Sequence, residues 1–216
     1  MLGPLFARRC WRQHRRIFSI TRRMFSDVKP YYEGRLGLEG TVKPLGCYIF
    51  LHSPEPPSTF PSVHHTALSR ELLLRAVKWG GMVNFSYTEG GGKLSAASDK
   101  QAATVFSQRG GRLDIPDVSL KNLDDIEGRI SNYLNGPVTE STSTTAHLYV
   151  CTHGARDCRC GERGQQVYDA LVRVVRESTS SLAKNIEVSA VGHVGGHKYA
   201  ANILVFPHGD WCVSCS

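Results

Sequence analysis

An α/β chain in two domains is what this sequence predicts, and three observations predict it. Short apolar runs alternate with segments of helical spacing, the pattern of strands packed against helices. The runs fall into two sets on either side of residues 139–145, which are nearly all Ser and Thr. The residues that carry chemistry then crowd into the second set, between Cys151 and Ala201. The expected organisation is a leader over 1–26, an N-terminal α/β domain over 27–138, a linker over 139–146 and a second α/β domain over 147–216.

The front of the chain sets the compartment and removes one function class. The formal charge of +7 points at first to nucleic acid. Residues 1–26, however, hold seven arginines (Arg8, Arg9, Arg12, Arg15, Arg16, Arg22, Arg23) and no acidic residue. Removing those seven from 26 basic residues leaves 19 against 19 acidic ones, so the remainder is formally neutral. A nucleic-acid binder needs its positive charge on the folded surface, so no nucleic-acid partner is expected. An Arg-rich, acid-free leader interspersed with Leu, Phe and Trp reads as a mitochondrial transit peptide, which places the protein in the matrix or the intermembrane space. No segment reaches the ~18 consecutive apolar residues of a membrane span. Seven cysteines are present, and Cys10, Cys47, Cys212 and Cys215 lie far in sequence from the cluster at 151–160. In an intracellular protein such clustering points to metal or redox chemistry before a disulfide framework.

The elements follow in order. Residues 31–46 are a Gly-rich approach, and 47–51 form a short apolar and aromatic run, a buried strand. Pro54, Pro56, Pro57 and Pro61 then exclude regular structure. His64 and His65 sit in that loop with no partner at ligand spacing and read as a surface pair. Residues 69–79 have helical spacing, Gly80-Gly81 ends the helix, and 82–87 alternates like a strand. Gly90-Gly91-Gly92-Lys93 lacks the earlier Gly and the following Ser or Thr of a phosphate loop, because Tyr87 and Leu94 stand there, so it reads as a flexible turn. Residues 99–108 are expected to form a short helix, and 123–134 another, stopped by Gly136-Pro137. In the second set, 147–151 is a strand that delivers Cys151 at its carboxyl end, where α/β sheets present ligands. An amphipathic helix over 162–178, a strand over 186–191 and a strand over 199–206 follow. No internal repeat is visible.

Cys151 and Cys160 stand nine positions apart, and His193 and His197 four apart. Thiolates favour zinc, copper(I) and iron–sulfur clusters, and imidazole is compatible with zinc and iron. On a helix the two imidazoles would share a face, but Gly195-Gly196 between them makes a loop the better reading, since each internal glycine costs a helix about 1 kcal/mol. No Glu follows His193, so the zinc-protease arrangement is absent. Zinc knuckles separate their cysteines by two to four residues, which the His pair satisfies and the Cys pair does not. A loop this wide suits a bulkier cofactor, with zinc as the alternative. Cys151-x-His153 matches half of a Rieske ligand set with no second half, so His153 is expected to support the fold.

Cys151-Thr152-His153-Gly154-Ala155-Arg156-Asp157-Cys158-Arg159-Cys160-Gly161, followed by His193-Val194-Gly195-Gly196-His197-Lys198-Tyr199-Ala200-Ala201-Asn202, resembles the sucrase/ferredoxin-like family of fungi and plants. The resemblance runs from about residue 45 to Trp211 and includes Lys78-Trp79-Gly80 and Val83-Asn84-Phe85-Ser86. It implies a thioredoxin-like ferredoxin domain and a 2Fe–2S cluster, with Cys151 and Cys160 on one iron and His193 and His197 on the other. With the leader it implies the fungal mitochondrial branch, and one-electron exchange with a redox partner protein, an electron carrier or redox protein before a hydrolase. The family continues past Gly209-Asp210-Trp211 and this chain stops at Ser216, so a truncated C-terminal end is expected. Two other classes stay open: a thiol-redox quality-control protein using Cys158, Cys212 or Cys215, and a structural zinc domain. A hydrolase is disfavoured, because no Ser-His-Asp set or carboxylate pair can be located.

Overall fold

The computed structural model describes residues 42, 45–89, 100–107, 111–137 and 145–213. The expectations for the leader, for the turn at 90–93, for the Ser/Thr-rich stretch through Thr144 and for Cys10 and Cys215 lie outside those residues. The class is α/β, as expected: the described residues form eight strands in one mixed sheet, with three α-helices. In chain order these are β1 (Cys47–His52), α1 (Ala67–Ala76), β2 (Met82–Tyr87), β3 (Gln101–Ser107), β4 (Arg112–Val118), α2 (Leu123–Asn135), β5 (Ala146–Cys151), α3 (Gln165–Glu177), β6 (Ile186–Val191), β7 (Asn202–Phe206) and β8 (Asp210–Val213).

Local chemistry accounts for the element ends. Thr66 caps α1 in a reciprocal box, its hydroxyl accepting from the Ser69 amide at 3.0 Å while Ser69 Oγ accepts from the Thr66 amide at 2.9 Å. A 3-10 turn over Val77–Trp79 ends at Gly80 in the left-handed conformation (φ 62°). Asp124 and Asp125 place negative charge on the first turn of α2, where the helix dipole favours it.

One expected helix is a strand. Residues 101–107 form β3, paired antiparallel with both β1 and β4. Its last five residues are all buried, so the polar alternation that marks a half-exposed strand is missing. The β-branched and aromatic run Thr104-Val105-Phe106 decides in favour of the sheet. β4 was hidden by Pro116, which an edge strand tolerates, and β4 is the edge.

The strand order is β4-β3-β1-β2-β6-β5-β7-β8. It contains a repeat that the sequence does not display. In the first half β1 runs parallel to β2 and antiparallel to β3, which is antiparallel to β4. In the second half β5, β6, β7 and β8 stand in the same relations. α1 connects β1 to β2 as α3 connects β5 to β6. The halves join through two antiparallel pairs, Ser86↔Val191 and Tyr87↔Ala190.

Alternation along β1 and β5 shows how the halves pack. Cys47, Ile49 and Leu51 share a core with Leu68, Leu72 and Ala76 of α1 and Leu123, Ile126 and Ile130 of α2. Leu148 and Val150 pack with Tyr168 and Leu171 of α3. The intervening residues Tyr48, Phe50, Tyr149 and Cys151 form one cluster with Leu204 and Phe206. The sheet therefore folds back at the β2–β6 joint, giving four layers: helices, half-sheet, half-sheet, helix. The layer between the half-sheets is aromatic, with Phe50 stacked on Tyr149 at 3.9 Å and Phe106 on Phe206 at 4.3 Å between ring centres. A polar edge also ties the halves. Arg112 pairs with Asp114 (2.9 Å) and with Glu187 (3.2 Å), and Glu187 also meets His147 at 2.9 Å.

Candidate metal centre

β5 ends at Cys151 on the face turned toward the aromatic layer, and this side chain is fully buried. The chain loops through 152–159 and returns Cys160, also fully buried, at the start of a π-helical turn over Cys160–Gly164 that runs on into α3. Such wide turns recur at functional sites. Gly164 lets this one cross the end of β5: a Cβ there would lie 1.9 Å from the Cys151 carbonyl oxygen. β6 ends at Val191 and delivers His193. Gly195 (φ 92°) and Gly196 (φ 60°) then turn the chain back to present His197. The His pair is on a loop leading into a 3-10 turn, as its glycines require.

The four residues expected to form a site reach one rim. Donor atoms of Cys151, Cys160 and His193 all lie within 4.8 Å of one another, and Cys160 Sγ stands 3.8 Å from His193 Nδ1. The His197 ring is 5.4 Å from that of His193, centre to centre, with its side chain 47% exposed. The other described cysteines are elsewhere: Cys47 in the layer beneath α1 and α2, Cys212 against the core around α3, and Cys158 exposed on the loop. The Cys151 thiol is held well below its ordinary range. A hydrogen bond from the Cys160 thiol is the main cause, helped by His193 and by the amides of Val194 and His153, against the opposing effect of burial. Cys160 is pushed up, because it donates to Cys151 and is buried. The pair thus holds one readily formed thiolate and one proton that a soft metal ion would displace.

Three side chains hold the His loop, and of these only His153 was marked from the sequence as a support. Asn84 on β2 donates to the carbonyls of Gly192 (3.2 Å) and His193 (3.4 Å). The fully buried Asn202 donates to the carbonyls of Gly195 and Gly196, both at 3.2 Å, and accepts from Trp211 Nε1 at 3.2 Å. His153 Nε2 donates to the Pro61 carbonyl at 2.9 Å, which leaves Nδ1 to accept the His193 amide at 3.4 Å. His153 supports the fold, as expected of it. The available signal was Asn, a residue depleted in strands, inside two apolar strands. His64 differs from expectation: it is half-buried, stacked on Phe60 at 4.0 Å and edge-on to Phe85 at 4.6 Å, so it belongs to the loop's packing.

Two buried thiols, one ionising readily, beside an imidazole are soft and borderline donors of the kind that take zinc or an iron–sulfur centre. The donor set fits a metal. Among the described residues no helix is long and apolar enough to cross a membrane.

A family model for sucrase/ferredoxin-like proteins matches residues 38–214. Actin patches distal protein 1 of Saccharomyces cerevisiae is 33% identical over 67 residues, covering 28% of this chain and 21% of that protein. Altered inheritance of mitochondria protein 32 of Meyerozyma guilliermondii is 32% identical over 68 residues, covering 32% and 23%. The protein of that name from Candida glabrata is 39% identical over 61 residues, covering 28% and 18%. The matches thus span about a fifth of the length of these curated relatives. No solved structure matches the chain.

Proposed function

The chain belongs to the sucrase/ferredoxin-like family, and from that premise we propose that it is a mitochondrial 2Fe–2S electron-transfer protein whose cluster is held by Cys151, Cys160, His193 and His197. The observation that carries the reading is the convergence of two buried thiols and an imidazole within 4.8 Å, with a second imidazole beside them. Cys151 accepts two backbone amides, which favours the thiolate a cluster needs. The aromatic layer keeps water from the cysteine side, and His197 gives the rim an exposed edge where an electron can pass to a redox partner protein. The cluster would supply one-electron chemistry at a mild potential, since two neutral imidazoles in place of thiolates make it less negative and easier to reduce. The mitochondrial setting is supported by the Arg-rich residues 1–26 as a transit peptide and by the mitochondrial names of several relatives. Residues 147–216 would be the cluster-bearing part.

A second reading has its own support. The hydrogen bond between the Cys151 and Cys160 thiols also suits a pair that cycles with a disulfide. One experiment separates the readings: purification without oxygen, then iron, sulfide and zinc analysis with visible and EPR spectra. About two irons and two sulfides per chain are expected, with altered spectra in His193→Cys and His197→Cys variants. Zinc without sulfide would replace the reading by a structural zinc site. Two thiols titrating reversibly with oxidant in metal-free protein would favour the dithiol.

A further inference from the structure

We propose that Asp157 is a positioning residue for His197: its carboxylate accepts a hydrogen bond from Nε2–H of that imidazole and leaves Nδ1 as the nitrogen available to a metal. This rests on the reading that His197 binds the metal.

The carboxylate is anchored independently of the imidazole. Asp157 Oδ1 accepts from Arg159 Nε (2.9 Å) and from the Arg159 amide (3.1 Å), and Oδ2 accepts from Arg159 Nη2 (2.9 Å). The Asp157 carbonyl accepts the amides of Cys160 (3.0 Å) and Gly161 (3.3 Å), so the same residue fixes the turn that carries Cys160. Its side chain is 15% exposed, and Oδ2 stands 3.8 Å from His197 Nε2. That gap is just beyond hydrogen-bond range. His197 follows two glycines of positive φ and is half-exposed, so the imidazole can close the distance while Asp157 stays in place. A ring nitrogen paired with a carboxylate fixes which nitrogen is left for a metal and makes it a stronger donor. His193 presents the same nitrogen, with Nδ1 facing Cys160, but is held by a different contact, its amide donating to His153. The two imidazoles are therefore unlike, and the anionic partner belongs to the one at the solvent edge. A more basic ligand favours the oxidised centre, so Asp157 lowers the potential.

The test compares wild type with Asp157→Asn, which keeps an acceptor for the Arg159 amide but loses the charge and replaces the second acceptor oxygen, the one that takes Arg159 Nη2 and faces His197, with a donor NH2. Iron and sulfide content of the wild type is measured first and decides the cluster reading by itself. Given a cluster, the Asn variant is expected to keep its metal and to show a potential shifted upward, with altered nitrogen hyperfine coupling from one of its two imidazoles. Unchanged potential and coupling at equal metal content would overturn the proposal, because a residue that only caps the turn predicts that result. Should the Asn variant not fold, Arg159→Gln strips the neutralising guanidinium from the carboxylate and is expected to shift the potential downward; no shift would overturn the proposal. Should the wild type carry zinc, Asp157→Asn is expected to weaken zinc binding about 10–100-fold, and equal affinity would overturn it. A wild type that takes neither iron nor zinc overturns the metal reading and this proposal with it.

Discussion

Asn202 offers the sharpest test of how the rim is built. It makes three side-chain hydrogen bonds, to the carbonyls of Gly195 and Gly196 and from Trp211 Nε1, each 3.2 Å long, and is fully buried. Asn202→Leu fills the space with an apolar group and strands all three partners. At about 0.5–1.5 kcal/mol per bond, the expected destabilisation is about 2–4 kcal/mol. That is a large part of the roughly 5–15 kcal/mol that holds a domain together. Urea unfolding measures the loss, and metal retention against a chelator reads the loop separately. Trp211→Phe removes one of the three bonds and should cost about 1 kcal/mol. In the double variant that bond can be lost only once, so the two costs should fall short of additivity. An Asn202→Leu protein within about 0.5 kcal/mol of wild type, with unchanged metal retention, would refute the assignment of Asn202 as the support of the His loop.

Three further outcomes are expected. Phe50→Ala empties a place against Tyr149, Phe106 and Phe206 in the middle layer and should cost about 3–5 kcal/mol, read by thermal or urea unfolding. Burial pushes the Cys47 thiol up to about 11, so a thiol reagent on the folded protein should label the exposed Cys158 well before Cys47, scored by mass spectrometry; Cys47→Ser should take up metal as the wild type does. His52 and His147 are both held below their ordinary pKa, chiefly by burial. The unfolded chain therefore takes up protons near pH 6.5 that the folded protein refuses. Stability should be full above that pH and be lost as pH falls through the depressed folded values. His52→Gln should flatten the acid side of a melting-temperature profile, and an unflattened profile would remove His52 from the account.

Sequence showed the α/β class and most elements because apolar period and glycine placement report directly on a strand or helix that has one solvent face. α1, β2, α2 and α3 announce themselves in this way, and β1 shows instead as a short apolar and aromatic run. β3 does not, since its polar Thr104 and Ser107 are buried along with its apolar residues, so no alternation of exposed and buried positions marks it as a strand. The repeat is invisible for a related reason. It lies in strand order and direction, which pairing decides and which no local pattern records. At the rim, a cysteine pair and a histidine pair marked Cys151, Cys160, His193 and His197 as candidates, and the fold brings the donor atoms of the first three within 4.8 Å of one another. Asn84 and Pro61 act through backbone contacts with residues distant in sequence, Asn202 through the carbonyls of its own loop, and a carbonyl oxygen leaves no mark in a sequence.

The aromatic layer has a consequence for portability. Each half keeps a separate core under its own helices, so residues 147–213 look detachable as a cassette. Lifted out alone, that piece would turn Tyr149, Leu204 and Phe206 toward water, and it would lose Asn84 and the Pro61 carbonyl, which hold the His loop from the other half. Transplanting the motif-bearing half into another scaffold would therefore carry the four donors along without their alignment. Grafting this centre means grafting the whole αββα sandwich.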